Sequence, residues 1–277
     1  MRMAGVMALM RFHDRLDKYR LFDWAMRAPI VCYTLGVLAW DVWMFCHQVA
    51  AQPGVFAHPD SGIIVATLAR VCQWMFVGIL AALQVVRLRP VAKSEDILPR
   101  LGALVASCMP PFFLLLHRAP PSFAFNLASA LIGLAASIMS VVTVSFLGRS
   151  LSIMPEARRL VTRGPYALVR HPLYVCEILG GVAGVLIYRS AAVLVIFFGM
   201  IALQALRGRW EEQVLQRAFP DYAPYRACTP FFVPHHPLRF VAAYLADPII
   251  RRRSVAVVAV AIALDAVALT VVPRLIG

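Results

Sequence analysis

From Phe123 to Leu147 the chain runs without one Asp, Glu, Lys or Arg. Coiled into a helix at 1.5 Å per residue, that run is about 37 Å long, more than the ~30 Å hydrocarbon core of a bilayer. Other apolar runs lie near 28–51, 62–86, 100–117 and 254–272, and a shorter pair occupies 172–187 and 190–206. Tyr188 to Ser190 mark the join of that pair, which predicts a tight helical hairpin. With 61% hydrophobic residues, 15% charged residues and a mean hydropathy of +0.75, a soluble domain, a disordered chain, a coiled coil and collagen are all excluded. The expected fold is an all-α integral membrane protein with about seven membrane helices, hairpin included.

Charge then orients the spans. Lys and Arg number 27 against 14 Asp and Glu, a net charge of +13. In a soluble chain this excess would suggest nucleic acid. Here the bases fall between apolar runs, where positive-inside topology accounts for them, so no nucleic-acid partner is expected. Arg2, Arg11, Arg15, Lys18, Arg20 and Arg27 precede the first run, and the loop 52–61 has no base. Arg87, Arg89 and Lys93 follow the second run, and the next loop offers Arg118. Segments 148–171 and 207–253 are again rich in arginine. The alternation predicts a cytoplasmic N-terminus, an external C-terminus, and both large polar segments together on the cytoplasmic side of the inner membrane. Four regions follow. Residues 1–27 form an interfacial segment, 28–147 a four-span membrane region, 148–235 a core with the hairpin, and 236–277 an interfacial segment and last span. No small-residue cleavage site follows the first apolar stretch, so a secretory signal is not expected.

Charged residues inside the spans need partners. Asp41 in the first span and Arg70 in the second fall at similar depth in antiparallel helices, which predicts an ion pair. Asp265 in the last span has no evident partner. Glu177, one and a half turns into the first hairpin helix, reads either as a substrate contact or as a snorkelling carboxylate. Gly180, Gly181 and Gly184 carry the small-residue spacing that lets membrane helices approach closely. The six cysteines are scattered without metal-ligand spacing and read as buried thiols, so no metal is expected.

The polar chemistry concentrates in two stretches. In Leu160 to Tyr174, Gly164-Pro165 signals a turn and Pro172 suits the first position of a helix. Arg170 and His171 flank that helix start, where free N–H groups and the helix dipole favour an anion. A basic belt with interfacial tyrosines is the alternative. The second stretch, Leu206 to Tyr225, continues the second hairpin helix beyond the membrane. It carries Arg207 and Glu211 on one face, then Glu212, and the aromatic residues Phe219, Tyr222 and Tyr225.

Together these stretches resemble the isoprenylcysteine carboxyl methyltransferase family of integral membrane enzymes, and more distantly the phospholipid N-methyltransferases. The resemblance rests on Leu160-Val161 with Gly164 and Tyr166, on Arg170-His171-Pro172 with Tyr174, on the hairpin, and on Glu211-Glu212 with Leu215. Phe219, Tyr222, Tyr225 and Pro234 complete it, over roughly residues 145–235. Arg158-Arg159 stand where eukaryotic members have His-Thr, and the link from Phe219 to Tyr222 is one residue shorter. The resemblance implies S-adenosylmethionine as methyl donor, held by Leu160, Val161, Tyr166, His171, Pro172, Leu173, Tyr174 and Glu211. Arg170 and Glu212, beside them, complete the expected donor site. It also implies that Arg207 faces the acceptor, a lipid-like or prenylated molecule methylated on a carboxylate or an amine. Arg207, Glu211 and Glu177 are the candidates for catalysis, with Glu177 or Glu212 as proton sink if the acceptor is an amine. Two other functions compete: a membrane enone or sterol reductase using NADPH, and a non-catalytic transporter or scaffold built on Asp41 and Arg70.

Overall fold

A computed structural model describes residues 28–94, 96–109, 113, 116–120, 122–233 and 237–276. The interfacial segment expected at 1–27, together with Pro234 and the His235-His236 pair, lies outside the described residues. The chain is an all-α membrane protein. Among the described residues, five helices are long and apolar enough to cross a bilayer. They are α1 (Ala28–Ala51), α3 (Ser61–Val86), α5 (Phe123–Leu147, extended by a 3-10 turn to Ser150), α8 (Ala191–Ala218) and α11 (Pro248–Ile276). Two shorter apolar helices are α4 (Ile97–Cys108) and α7 (Pro172–Tyr188). Short polar or interfacial helices are α2 (Pro53–Ala57), α6 (Pro165–Leu168), α9 (Tyr222–Cys228) and α10 (Pro237–Ala246).

The third run along the chain departs from expectation. Instead of a span over 100–117, α4 stops at Cys108 after 12 residues, about 18 Å. Pro110 and Pro111 follow the Met109 cap, and a proline has no N–H to donate into a helix while its ring clashes with the preceding turn. The described residues that follow, Phe113 and 116–120, lie against the hairpin tip. Phe113 packs with Tyr188 and Val193, and Ala119 N donates to Ile187 O at 3.2 Å. Irregular backbone at membrane depth is tolerated where protein shields it from lipid.

The hairpin itself forms as expected. Arg189 takes the left-handed conformation (φ 43°) between α7 and α8, and the Ser190 hydroxyl accepts from Val193 N at 3.2 Å as the cap of α8. The glycines pack. A Cβ on Gly181 would lie 2.5 Å from Met200 Cε, and one on Gly184 would lie 3.0 Å from Phe113. Helix α5 packs along both α3 and α7, and the Ser129 hydroxyl donates to Ala183 O at 2.8 Å across the second of these interfaces.

Asp41 and Arg70 meet as the spacing predicted. Arg70 Nε lies 3.8 Å from Asp41 Oδ2, the Trp74 indole donates to the same oxygen at 2.6 Å, and Arg70 reaches Gln48 at 3.3 Å. Asp265 is buried, with Oδ1 lacking a hydrogen-bond partner among the described residues.

The polar connections gather at one end of the bundle. Arg149 Nε donates to Val86 O at 2.7 Å, and Leu88 N donates to Arg149 O at 2.8 Å. A two-stranded antiparallel ladder joins β1 (Ala92–Lys93) to β2 (Glu156–Ala157), with Ala92 opposite Ala157. Arg170 N donates to Pro230 O at 2.8 Å, and Arg253 lies over the Phe146 ring at 4.0 Å. Loops 87–96 and 148–171, the far half of α8 and the start of α11 therefore share one face. At the opposite end Arg189 donates to Pro120 O and lies over Phe125.

Candidate active site

Helix α8 has 28 residues, about 42 Å, so its second half projects beyond a ~30 Å core. The start of α7 packs against that projection, and the close approach depends on Gly208. A Cβ there would lie 2.7 Å from Phe231 Cζ and 3.3 Å from His171 Nε2. Behind His171 the chain is anchored by Arg170. Its Nε donates to Glu212 Oε1 at 2.6 Å, and its Nη1 donates to Arg226 O at 3.0 Å and to Thr229 O.

His171 is buried, stacks on Tyr174 with centroids 5.2 Å apart and planes 3° from parallel, and meets the edge of Phe231 at 4.7 Å. Its Nε2 is 3.3 Å from Glu212 Oε1 and its Nδ1 is 3.8 Å from Glu211 Oε2. The Tyr174 hydroxyl donates to Glu211 Oε2 at 2.7 Å. The Arg207 guanidinium sits over the same ring, 4.7 Å from its centroid. Arg207 is 4% exposed, and its Nε and Nη1 have no hydrogen-bond partner among the described residues. A buried guanidinium in that state is costly unless a ligand supplies the missing acceptors.

These groups line a cleft that holds about 700 Å³ of space, its open mouth included. Of the residues expected from the sequence, Leu160, Val161, Tyr166, Arg170, His171, Leu173, Tyr174, Arg207 and Glu211 line it. Three do not. Pro172 is the buried first residue of α7. Glu212 turns to the far side of His171, where burial would push it up but hydrogen bonds and charge from His171 and Arg170 hold it down to about 2. Glu177 faces the hairpin interior and accepts from the Gln204 amide.

One wall was not legible beforehand. Ser150, Leu151, Ser152, Glu156, Arg158 and Arg159 close the cleft from the side of the α5 terminus. Glu156 accepts from Arg158 and, at 3.1 Å, from the Ser152 hydroxyl. The β1–β2 ladder holds this wall in place, and two-residue strands leave no periodicity to read. Tyr222 and Tyr225 line the cleft from α9, and the Tyr225 hydroxyl donates to Tyr166 O at 2.7 Å. Burial, with carboxylates nearby, pushes all three phenols of Tyr166, Tyr222 and Tyr225 up, so they remain neutral donors. Among the described residues no group of three or more His, Cys, Asp or Glu is placed to hold a metal ion.

Comparison with known proteins falls on this same part of the chain. Residues 122–222, from the start of α5 to the start of α9, match the family model for phospholipid methyltransferase. That is a membrane methyltransferase family related to the isoprenylcysteine carboxyl methyltransferases. It is the more distant of the two families in the sequence resemblance, and the match begins at 122 rather than near 145. The chain is 41% identical over 76 residues to the cobalt-zinc-cadmium resistance protein CzcN of Cupriavidus metallidurans, covering 27% of this chain and 35% of that protein. It is 38% identical over 82 residues to the nickel-cobalt-cadmium resistance protein NccN of Alcaligenes xylosoxydans xylosoxydans, covering 28% and 38%. The chain thus spans little more than a third of the length of these relatives.

Proposed function

We propose that this protein is a membrane methyltransferase that takes its methyl group from S-adenosylmethionine and transfers it to a lipid-like or prenylated acceptor at the cytoplasmic face. The observation that carries the reading is the cleft in which Tyr174 joins Glu211 on one side and Arg207 on the other. The residues present fit the donor. Glu211, with a side chain 31% exposed, offers a carboxylate for an ammonium or ribose. Tyr166, Tyr222 and Tyr225 offer aromatic surface for a flat heterocycle. The start of α7 offers N–H groups for a carboxylate.

When bound, S-adenosylmethionine supplies an electrophilic methyl group on a sulfonium. The protein's own part is orientation and electrostatics rather than strong acid–base chemistry. His171, fixed between Tyr174, Phe231 and the two glutamates, sets the position of the α7 start. Tyr174 orients Glu211 by its hydrogen bond. Arg207, with two buried N–H groups unmatched, holds the acceptor's polar head beside the donor. A carboxylate acceptor is already ionised at neutral pH and needs no base. For an amine acceptor, Glu211 is the cleft carboxylate with no arginine ion pair among the described residues, and it serves as the proton sink in place of Glu177 and Glu212, which do not line the cleft. The acceptor's apolar tail stays in the bilayer beside the hairpin.

Calorimetry on the purified full chain tests the donor site. S-adenosylmethionine binds the wild type, and His171→Ala or Glu211→Ala weakens it; unaltered binding in both variants would refute the site. Mass spectrometry of membrane lipids with and without the gene then identifies the acceptor as the species one methylene heavier.

A further inference from the structure

A second concavity lies between α10 and α11, and it shares no lining residue with the methyltransferase cleft. It holds about 790 Å³ of space up to its open side, and its walls are almost entirely apolar, with Leu245, Ile250, Val255, Val258 and Ile262 among them. One end is different. Arg251 lines the groove there, at the first turn of α11, and Arg252 beside it is also exposed. From Arg251 to Ile262 the groove follows α11 for about 16 Å, roughly half of a ~30 Å hydrocarbon core. That is the depth of one leaflet, measured from the level of the head groups.

The arginines are not there for the helix. Cations in a first turn oppose the helix dipole. The acid nearby, Asp247, is occupied in capping: its Oδ1 accepts from Ile249 N at 2.8 Å and from Ile250 N at 3.0 Å. Arg253 turns the other way, to the Ser145 hydroxyl at 2.8 Å and the Phe146 ring. No carboxylate bridges Arg251 or Arg252 among the described residues. Two outward guanidinium groups at head-group level, above an apolar groove one leaflet deep, complement a single amphiphile with an anionic phosphate and an acyl chain.

We infer that the groove between α10 and α11 binds one anionic phospholipid, with its phosphate at Arg251 beside Arg252 and one acyl chain along α11 to Ile262. The site stands behind the donor cleft, not in it. Tyr244 and Ile250 at its base belong to the same core as Leu173 of the cleft wall, so a chain in the groove braces α10 against that core.

Native mass spectrometry of the full chain, released from detergent after titration with phosphatidylglycerol or phosphatidylcholine of identical chains, tests this without any donor present. The wild type retains one phosphatidylglycerol with at least about tenfold preference. Arg251→Gln with Arg252→Gln brings the two lipids to parity, and Ala259→Trp, which fills the groove, lowers retention of both. Should the double variant not fold, Arg251→Gln alone decides on the same readout. Equal retention of both lipids by the wild type overturns the inference, as does a preference that survives the arginine substitutions. Thermal stabilisation by inorganic phosphate equal to that by phosphatidylglycerol overturns it too, in favour of a free-anion site.

Discussion

The Tyr174 hydroxyl donates to Glu211 Oε2 at 2.7 Å, joining the start of α7 to the projecting half of α8 across 37 residues of chain. Glu211 is the half-open member of the glutamate pair and Glu212 the buried one, with side chains 31% and 7% exposed. Adjacent acids on one helix therefore divide their work: Glu211 faces the cleft, and Glu212 holds the wall that makes it.

Tyr174→Phe tests the first half of that division. It removes one hydrogen bond to a charged group, a loss of roughly 1.5 kcal/mol or about tenfold in donor affinity. The ring remains, so the stack on His171 and the contact with Arg207 persist. Calorimetry should show the weaker binding with an unaltered melting temperature; a large drop in melting temperature would reassign the hydroxyl to the fold.

Arg207→Ala separates the two ligands. Acceptor KM rises or kcat falls, measured as transfer of labelled methyl to membrane lipids, while donor affinity stays near the wild-type value. Equal loss of donor binding would place the guanidinium on the wrong substrate.

Gly208→Ala puts a Cβ 2.7 Å from Phe231 Cζ and 3.3 Å from His171 Nε2. Overpacking of this kind costs about 1–3 kcal/mol, more than alanine gains in helix propensity. The melting temperature in detergent should fall, and donor binding with it. Gly199→Ala is the control, since its nearest neighbour is Met109 Cε at 3.8 Å, and it should leave the melting temperature unchanged or slightly raised.

Acid sensitivity follows from Glu212. Its carboxyl is held down to about 2 in the folded protein, against an ordinary value of 4.5. A depressed folded value stabilises the protein above the unfolded one, so the contribution is complete above about pH 4.5 and is lost as pH falls towards 2. Melting temperatures measured across that window should decline in the wild type, and Glu212→Gln should flatten that part of the decline.

Asp41 and Arg70 should couple by roughly 0.5–1.5 kcal/mol in a double-mutant cycle of Asp41→Asn and Arg70→Gln, the range found for polar pairs between membrane helices. Strict additivity would show the 3.8 Å approach to be energetically idle.

Much of this architecture could be read from residue order. The helices at 28–51, 61–86 and 123–147 coincide with apolar runs that carry at most one or two charges, because lipid forces such runs to satisfy their backbone internally. Pro172 opens α7 and Arg189 turns the hairpin for equally local reasons. Pro110 and Pro111 carried a local warning too, but hydropathy averaged over 100–117 concealed it, and α4 is two thirds of the expected length.

The site divides along the same line. Hydropathy, prolines and the arginine pattern are properties of short stretches, so the chain's order alone established an α-helical membrane protein with two polar segments on one side. The separate fates of Glu211 and Glu212, the withdrawal of Glu177 to Gln204 and the cleft wall at 150–159 needed the folded chain. Each depends on which partner a side chain finds tens of residues away. Local periodicity tells which face of a helix a residue occupies, but what that face meets is set by packing.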